Sequence, residues 1–111
     1  WMQALRRADF FVGSRIHGVL LALQAGTPAL CIVWDTRTFE LCKTMAIPFV
    51  SLYEEPWLSG NFSLNDLRNA FESSFDSNDF DRRRHSQAHT VNSFFSKHGV
   101  PVSAHLKRLF E

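Results

Sequence analysis

A chain of 111 residues with 45% hydrophobic and 21% charged residues is one small globular domain, or a piece of a larger one. Twelve Lys and Arg against eleven Asp and Glu leave a net charge of +1, which argues against a dedicated nucleic-acid binder. No apolar run reaches the roughly 18–20 residues of a membrane span, and two cysteines are too few for a disulfide framework.

The chain opens inside what reads as a helix, Trp1 to Arg7, with no start methionine and no N-cap. A domain boundary normally falls in an exposed polar linker, so the expectation is the C-terminal part of a longer protein, inactive alone. Asp9-Phe-Phe-Val-Gly13 is a short apolar run closed by glycine and predicts a buried strand. Ser14 is a good N-cap residue, and Ile16, Val19, Leu20 and Leu23 repeat at helical spacing up to the stop at Gly26 and Pro28. Ala29 to Trp34 reads as a second buried strand. Asp35 or Thr36 caps a second helix through Met45, with Phe39, Cys42 and Met45 on one face. Pro48 ends it, and Phe49 to Tyr53 is the third strand.

Strand, helix, strand, helix, strand with short connections is the pattern of an α/β fold, a Rossmann-like parallel sheet with flanking helices. After a loop with Pro56 and Gly60, Ser63 and Asp66 open a helix in capping-box style, striped by Leu64, Leu67, Phe71 and Phe75. A polar turn at 76–79 precedes a longer helix with Phe80, Ala88, Val91, Phe94 and Phe95 on one face, stopped by Gly99 and Pro101. Ser103 to Phe110 reads as a short last helix. The expected organisation is therefore 1–60 as the Rossmann-like portion and 61–111 as a helical extension, or tail, packing on it. Cys31 and Cys42 sit among apolar residues and read as buried free thiols of a reducing compartment.

In an open parallel sheet, ligands bind beyond the C-terminal strand ends. Two loops belong there: Gly13-Ser-Arg-Ile-His-Gly18 and Trp34-Asp-Thr-Arg37. If their strands are parallel neighbours, Arg15, His17, Asp35 and Arg37 converge on one crevice. The first loop suits an anion. Its glycine allows close backbone approach, the helix N-terminus offers N–H groups, and Arg15 presents a planar, permanently charged fork. A histidine such as His17 can exchange a proton near neutral pH. The plainer alternative is that Arg15 pairs with a carboxylate and His17 caps the helix. His85 and His89 are four apart, but with no completing ligand and three arginines beside them they read as a solvated helix face, and no metal site is assigned. Asp76, Asp79 and Asp81 are expected to pair locally with the Arg82–Arg84 run. Trp57 reads either as a sugar-stacking ring or as a cover for the sheet edge. The eleven phenylalanines read as core, or as docking surface for a preceding domain.

Gly13-Ser-Arg-Ile-His-Gly18, the helix ending Ala25-Gly26-Thr27-Pro28, and Asp35-x-Arg37 together resemble the C-terminal signature of polysaccharide pyruvyl transferases over about residues 4 to 50. Trp34 stands where that family usually has another aromatic, Thr36 replaces a proline and Arg37 a lysine. The resemblance implies the C-terminal half of a GT-B-like fold and transfer of the pyruvyl group of phosphoenolpyruvate to hydroxyls of a cell-surface or exported glycan as a ketal. It implies no cofactor, with phosphoenolpyruvate as donor substrate. It also implies a sugar or lipid-linked glycan acceptor, the N-terminal domain of the same chain as partner, and a cytoplasmic site, with peripheral membrane contact as a variant. His17 is then the candidate acid–base residue. Ser14, Arg15 and Gly18, at the helix N-terminus, would hold the donor. Arg37 would hold a second anionic group, and Asp35 would orient Arg37 or a sugar hydroxyl. Two rivals remain. One is a nucleotide-sugar glycosyltransferase of the same fold, with Glu40 on the ribose. The other is a non-catalytic α/β module that binds an anion or a partner chain.

Overall fold

A computed structural model describes residues 1–108. They fall into two compact units, Trp1–Phe75 and a helical unit from Asp76 onward. The first unit carries α1 (Met2–Leu5), β1 (Phe11–Gly13), α2 (Ile16–Gln24), β2 (Ala29–Val33), α3 (Thr36–Met45), β3 (Phe49–Ser51) and α4 (Leu64–Ser74). The second carries α5 (Ser77–Lys97) and α6 (Ala104–Lys107). The fold is α/β, with a three-stranded sheet in the order β1-β2-β3. Both pairings are parallel: Phe11 lies opposite Ala29, and Cys31 opposite Phe49. The expected neighbouring parallel strands are therefore present.

Strand alternation divides β2 between two layers. Leu30 faces α4 and forms a buried cluster with Val50 and Leu67, against which Val12, Ile32, Ala70 and Phe71 pack. Phe10 meets Phe71 edge-on at 5.9 Å. The opposite face carries α2 and α3. There Phe39 of α3 meets Phe49 of β3 edge-on at 5.4 Å, and the Cys31 and Cys42 thiols hydrogen-bond each other. That bond holds Cys31 below the usual thiol range against the opposing effect of burial. The same bond, together with burial, pushes Cys42 far up. Both are fully buried free cysteines. The buried Thr27 hydroxyl donates to the Leu5 carbonyl at 2.6 Å, fastening α1 to the turn after α2.

Several element ends differ from the sequence expectation. β1 begins at Phe11, where the Phe11 N–H first reaches the Pro28 carbonyl at 2.9 Å, not at Asp9. β3 ends at Ser51, because the Ser51 hydroxyl accepts the Tyr53 N–H at 3.2 Å and bends the chain. α3 closes at Ala46, a non-glycine in the left-handed region (φ 55°), whose following residue Ile47 donates to the Cys42 carbonyl. The capping box at α4 is formed. Ser63 N–H donates to the Asp66 carboxylate at 2.7 Å and Ser63 Oγ at 2.8 Å, bonds that hold the Asp66 carboxyl below its ordinary range.

In the helical unit, α5 starts at Ser77, not after the expected 76–79 turn, because Asp76 accepts the Asn78 and Asp79 N–H groups and caps it. Asp79 pairs with both Arg82 and Arg83, and Asp81 with Arg84 at 3.5 Å, the local pairing expected for these two, whereas Asp76 is engaged as the cap of α5. His85 and His89 are exposed. Among the described residues no group of three or more His, Cys, Asp or Glu is placed to hold a metal, and no helix is long and apolar enough to cross a membrane. Of the expected last helix, Ala104–Lys107 forms; Leu109 and Phe110 lie outside the described residues.

Gly13 closes β1 under an aromatic lid. A Cβ there would come within 2.9 Å of Phe11 Cε1 and 3.2 Å of Cζ, closer than side chains pack. Gly13→Ala is expected to push the half-buried Phe11 ring aside and to destabilise the protein by about 1 kcal/mol. The check is a lowered denaturation midpoint with an unchanged denaturant slope.

Candidate functional site

Parallel pairing of β1 and β2 puts the loops that follow them on one edge of the sheet. There they wall a groove of about 710 Å³ lined by Ser14, Arg15 and His17 from the first loop and Trp34, Asp35 and Arg37 from the second. Ile16, Leu20, Leu41 and Met45 supply its apolar surface. The juxtaposition expected from sequence is thus present, while two of the candidates lie elsewhere. Glu40 is exposed and is not part of the groove wall, since the residues of α3 that face it are Arg37, Thr38, Leu41 and Met45. Gly18 is not part of it either. A Cβ on Gly18 would sit 3.1 Å from Phe11 Cζ, so this glycine makes room for the Phe11 ring.

The two helix N-termini at the groove differ. α3 is capped by Asp35, whose carboxylate accepts the Thr38 N–H at 2.6 Å and the Thr38 hydroxyl at 3.2 Å. Asp35 is thereby engaged by its own helix, not by Arg37. α2 begins one residue later than Ser14 would suggest. Its N-cap position is Arg15, extended at φ −101°, ψ 114°, and no side chain caps it. Of the first-turn N–H groups, Gly18 and Val19 turn back to the Arg15 carbonyl, at 3.0 and 3.3 Å. The α2 terminus therefore presents the positive end of its dipole to the groove without a capping oxygen.

Among the described residues neither Arg15 nor Arg37 is in an ion pair with a carboxylate, and His17 does not cap α2. The plainer roles weighed for Arg15 and His17 are not the ones found. Two guanidinium groups, an uncapped helix N-terminus, a serine hydroxyl and an imidazole around one groove can bind a small dianion and move a proton beside it. Trp57, by contrast, is half-buried against the Leu30–Val50–Leu67 cluster and contacts the Phe62 ring at 5.1 Å, so it covers the sheet and is not part of the groove wall.

The Asp35 cap gives a direct test of its role. Asp35→Ala is expected to cost about 1 kcal/mol of stability, and Asp35→Asn only a few tenths, since asparagine caps nearly as well. Thermal or denaturant unfolding of the two variants checks this.

By architecture, the chain is an α/β protein with an anion-suited groove at the C-terminal edge of a parallel sheet. Residues 1–36 match the family model for polysaccharide pyruvyl transferase, a stretch that runs from α1 through β2 and includes Ser14, Arg15, His17, Gly18, Trp34 and Asp35. Arg37 and Glu40 lie beyond the match. No curated protein and no solved structure matches the chain significantly.

Proposed function

We propose that this chain is the donor-binding part of a pyruvyl transferase, which moves the pyruvyl group of phosphoenolpyruvate onto two hydroxyls of a glycan as a ketal and releases phosphate. The observation that carries the reading is the gathering of Arg15, His17 and Arg37 around the uncapped N-terminus of α2, within and next to the stretch that matches the transferase family.

The chemistry fits these groups. A proton added to the methylene carbon of phosphoenolpyruvate makes a methyl group and leaves positive charge on the adjacent carbon. One sugar hydroxyl attacks that carbon and loses its proton. The C–O bond to phosphate then breaks, and the second hydroxyl closes the ketal. One hydroxyl proton balances the proton taken up by carbon; the other leaves with phosphate. His17 is the group in the groove suited to deliver and collect such protons. Arg15, Ser14 and the α2 terminus hold the phosphate, and Arg37 holds the carboxylate. Phosphoenolpyruvate has no ribose, and Glu40, the carboxylate a nucleotide sugar would use, lies off the groove. The buried free thiols suit a reducing compartment, which fits a cytoplasmic enzyme acting on a lipid-linked precursor.

The deciding experiment is calorimetric titration of the full-length protein with phosphoenolpyruvate and, separately, with a uridine diphosphate sugar, alongside phosphate release in the presence of acceptor glycan. Saturable binding of phosphoenolpyruvate with little affinity for the nucleotide sugar is the expected result. The reverse preference sinks the reading.

A further inference from the structure

The groove has one aromatic wall that the donor chemistry leaves unused. Trp34 follows β2 directly and lines the groove, yet 55% of its surface is open to solvent. Its backbone is held from the neighbouring strand end. The Leu52 N–H donates to the Val33 carbonyl at 2.9 Å, and the Tyr53 hydroxyl donates to the Trp34 carbonyl at 2.7 Å. Tyr53 is itself fixed by its N–H bond to Ser51, although 73% of its surface is exposed. The carbonyls on both sides of the Trp34 Cα are thus tied to the two residues that follow β3, while the ring is left largely uncovered.

We propose that Trp34 is a stacking platform for a sugar ring at the mouth of the groove, with Tyr53 as the residue that positions it. The inference rests on the reading that the acceptor is a glycan. An indole face beside polar groups is the complement of a hexose, which has an apolar C–H face and a rim of hydroxyls. The groove wall supplies such groups in Asp35 and Thr38, whose bonds to each other at the α3 cap leave lone pairs that sugar hydroxyls can donate to. A protein-docking surface would instead be expected to be a continuous apolar patch, whereas the groove that Trp34 lines carries Arg15, Asp35, Arg37 and Thr38 among its apolar residues. The platform puts a stacked sugar alongside the loop that carries Arg15 and His17, where a hydroxyl would meet the activated donor.

The test titrates the protein with lactose, maltose, cellobiose and uridine, follows each by saturation-transfer NMR, and titrates phosphoenolpyruvate in parallel. At least one disaccharide is expected to bind saturably, with saturation and upfield shifts concentrated on the C–H protons of one ring face. Trp34→Ala is expected to weaken that binding about tenfold, a loss typical of one aromatic contact. Trp34→Phe keeps part of it. Tyr53→Phe, which removes the bond to the Trp34 carbonyl but keeps the ring, weakens it a few-fold. Phosphoenolpyruvate binding stays within about twofold in all three. The platform is overturned if none of the disaccharides binds, if binding survives Trp34→Ala, or if uridine binds at Trp34 more tightly than any sugar. Loss of phosphoenolpyruvate binding with Trp34-dependent sugar binding intact removes the donor assignment and leaves the platform standing.

Discussion

In the full-length protein, His17→Ala is expected to lower turnover by on the order of 10² to 10⁴ while leaving phosphoenolpyruvate affinity within a few-fold, because acid–base catalysis contributes on that scale. The motivation is its position. His17 is in the first turn of α2, exposed on the groove wall, and its side chain does not cap the helix. A residue that only bound the donor would lose affinity in proportion to rate, and a residue that only held the helix would lose stability. Phosphate release at saturating donor, read beside calorimetric binding and a melting curve, separates the three. Near-normal turnover in His17→Ala would move the acid–base assignment to a residue outside this chain segment.

Arg15→Ala is expected to act in the opposite sense and weaken donor binding by roughly 30-fold or more, the scale of losing a charge-assisted, paired hydrogen bond to an anion. Arg15→Lys should rescue it poorly, since an ammonium cannot present two parallel N–H donors in a plane. Arg15 lines the groove from the N-cap position itself, so its charge and the positive end of the helix dipole lie at the same end of α2. A binding isotherm unchanged in Arg15→Ala would place the anion at Arg37 instead.

The sheet was legible because its strands are short apolar runs bounded by chain-breaking residues. Gly13 closes the first, Gly26 and Pro28 precede the second, and Pro48 precedes the third, so period and punctuation agree. The shared groove followed from parallel pairing alone. What sequence did not reveal depends on competition between neighbouring groups. Ser14 and Asp35 are both good capping residues, yet only Asp35 caps, because α2 starts one position after Ser14 would require. The polar 76–79 stretch looked like a turn, and Asp76 makes its residues the first turn of a helix. Gly18 and Glu40 are on the helices that border the groove, α2 and α3, but are not among the residues that line it, a matter of helical phase and of where the Phe11 ring lies. The Tyr53–Trp34 bond joins residues 19 apart and has no local signature.

The bare N-terminus of α2 also sets function against stability. An asparagine at position 15 would supply the missing cap, and Arg15→Asn is expected to make the free protein more stable by about 0.5–2 kcal/mol as it removes the guanidinium from the groove. An arginine at that position leaves first-turn donors and a positive dipole without a side-chain oxygen, a cost that a bound anion would relieve. If the proposed donor binds there, phosphoenolpyruvate is expected to slow amide exchange in this turn, and the end of the helix that stability would cap is the end that faces the groove.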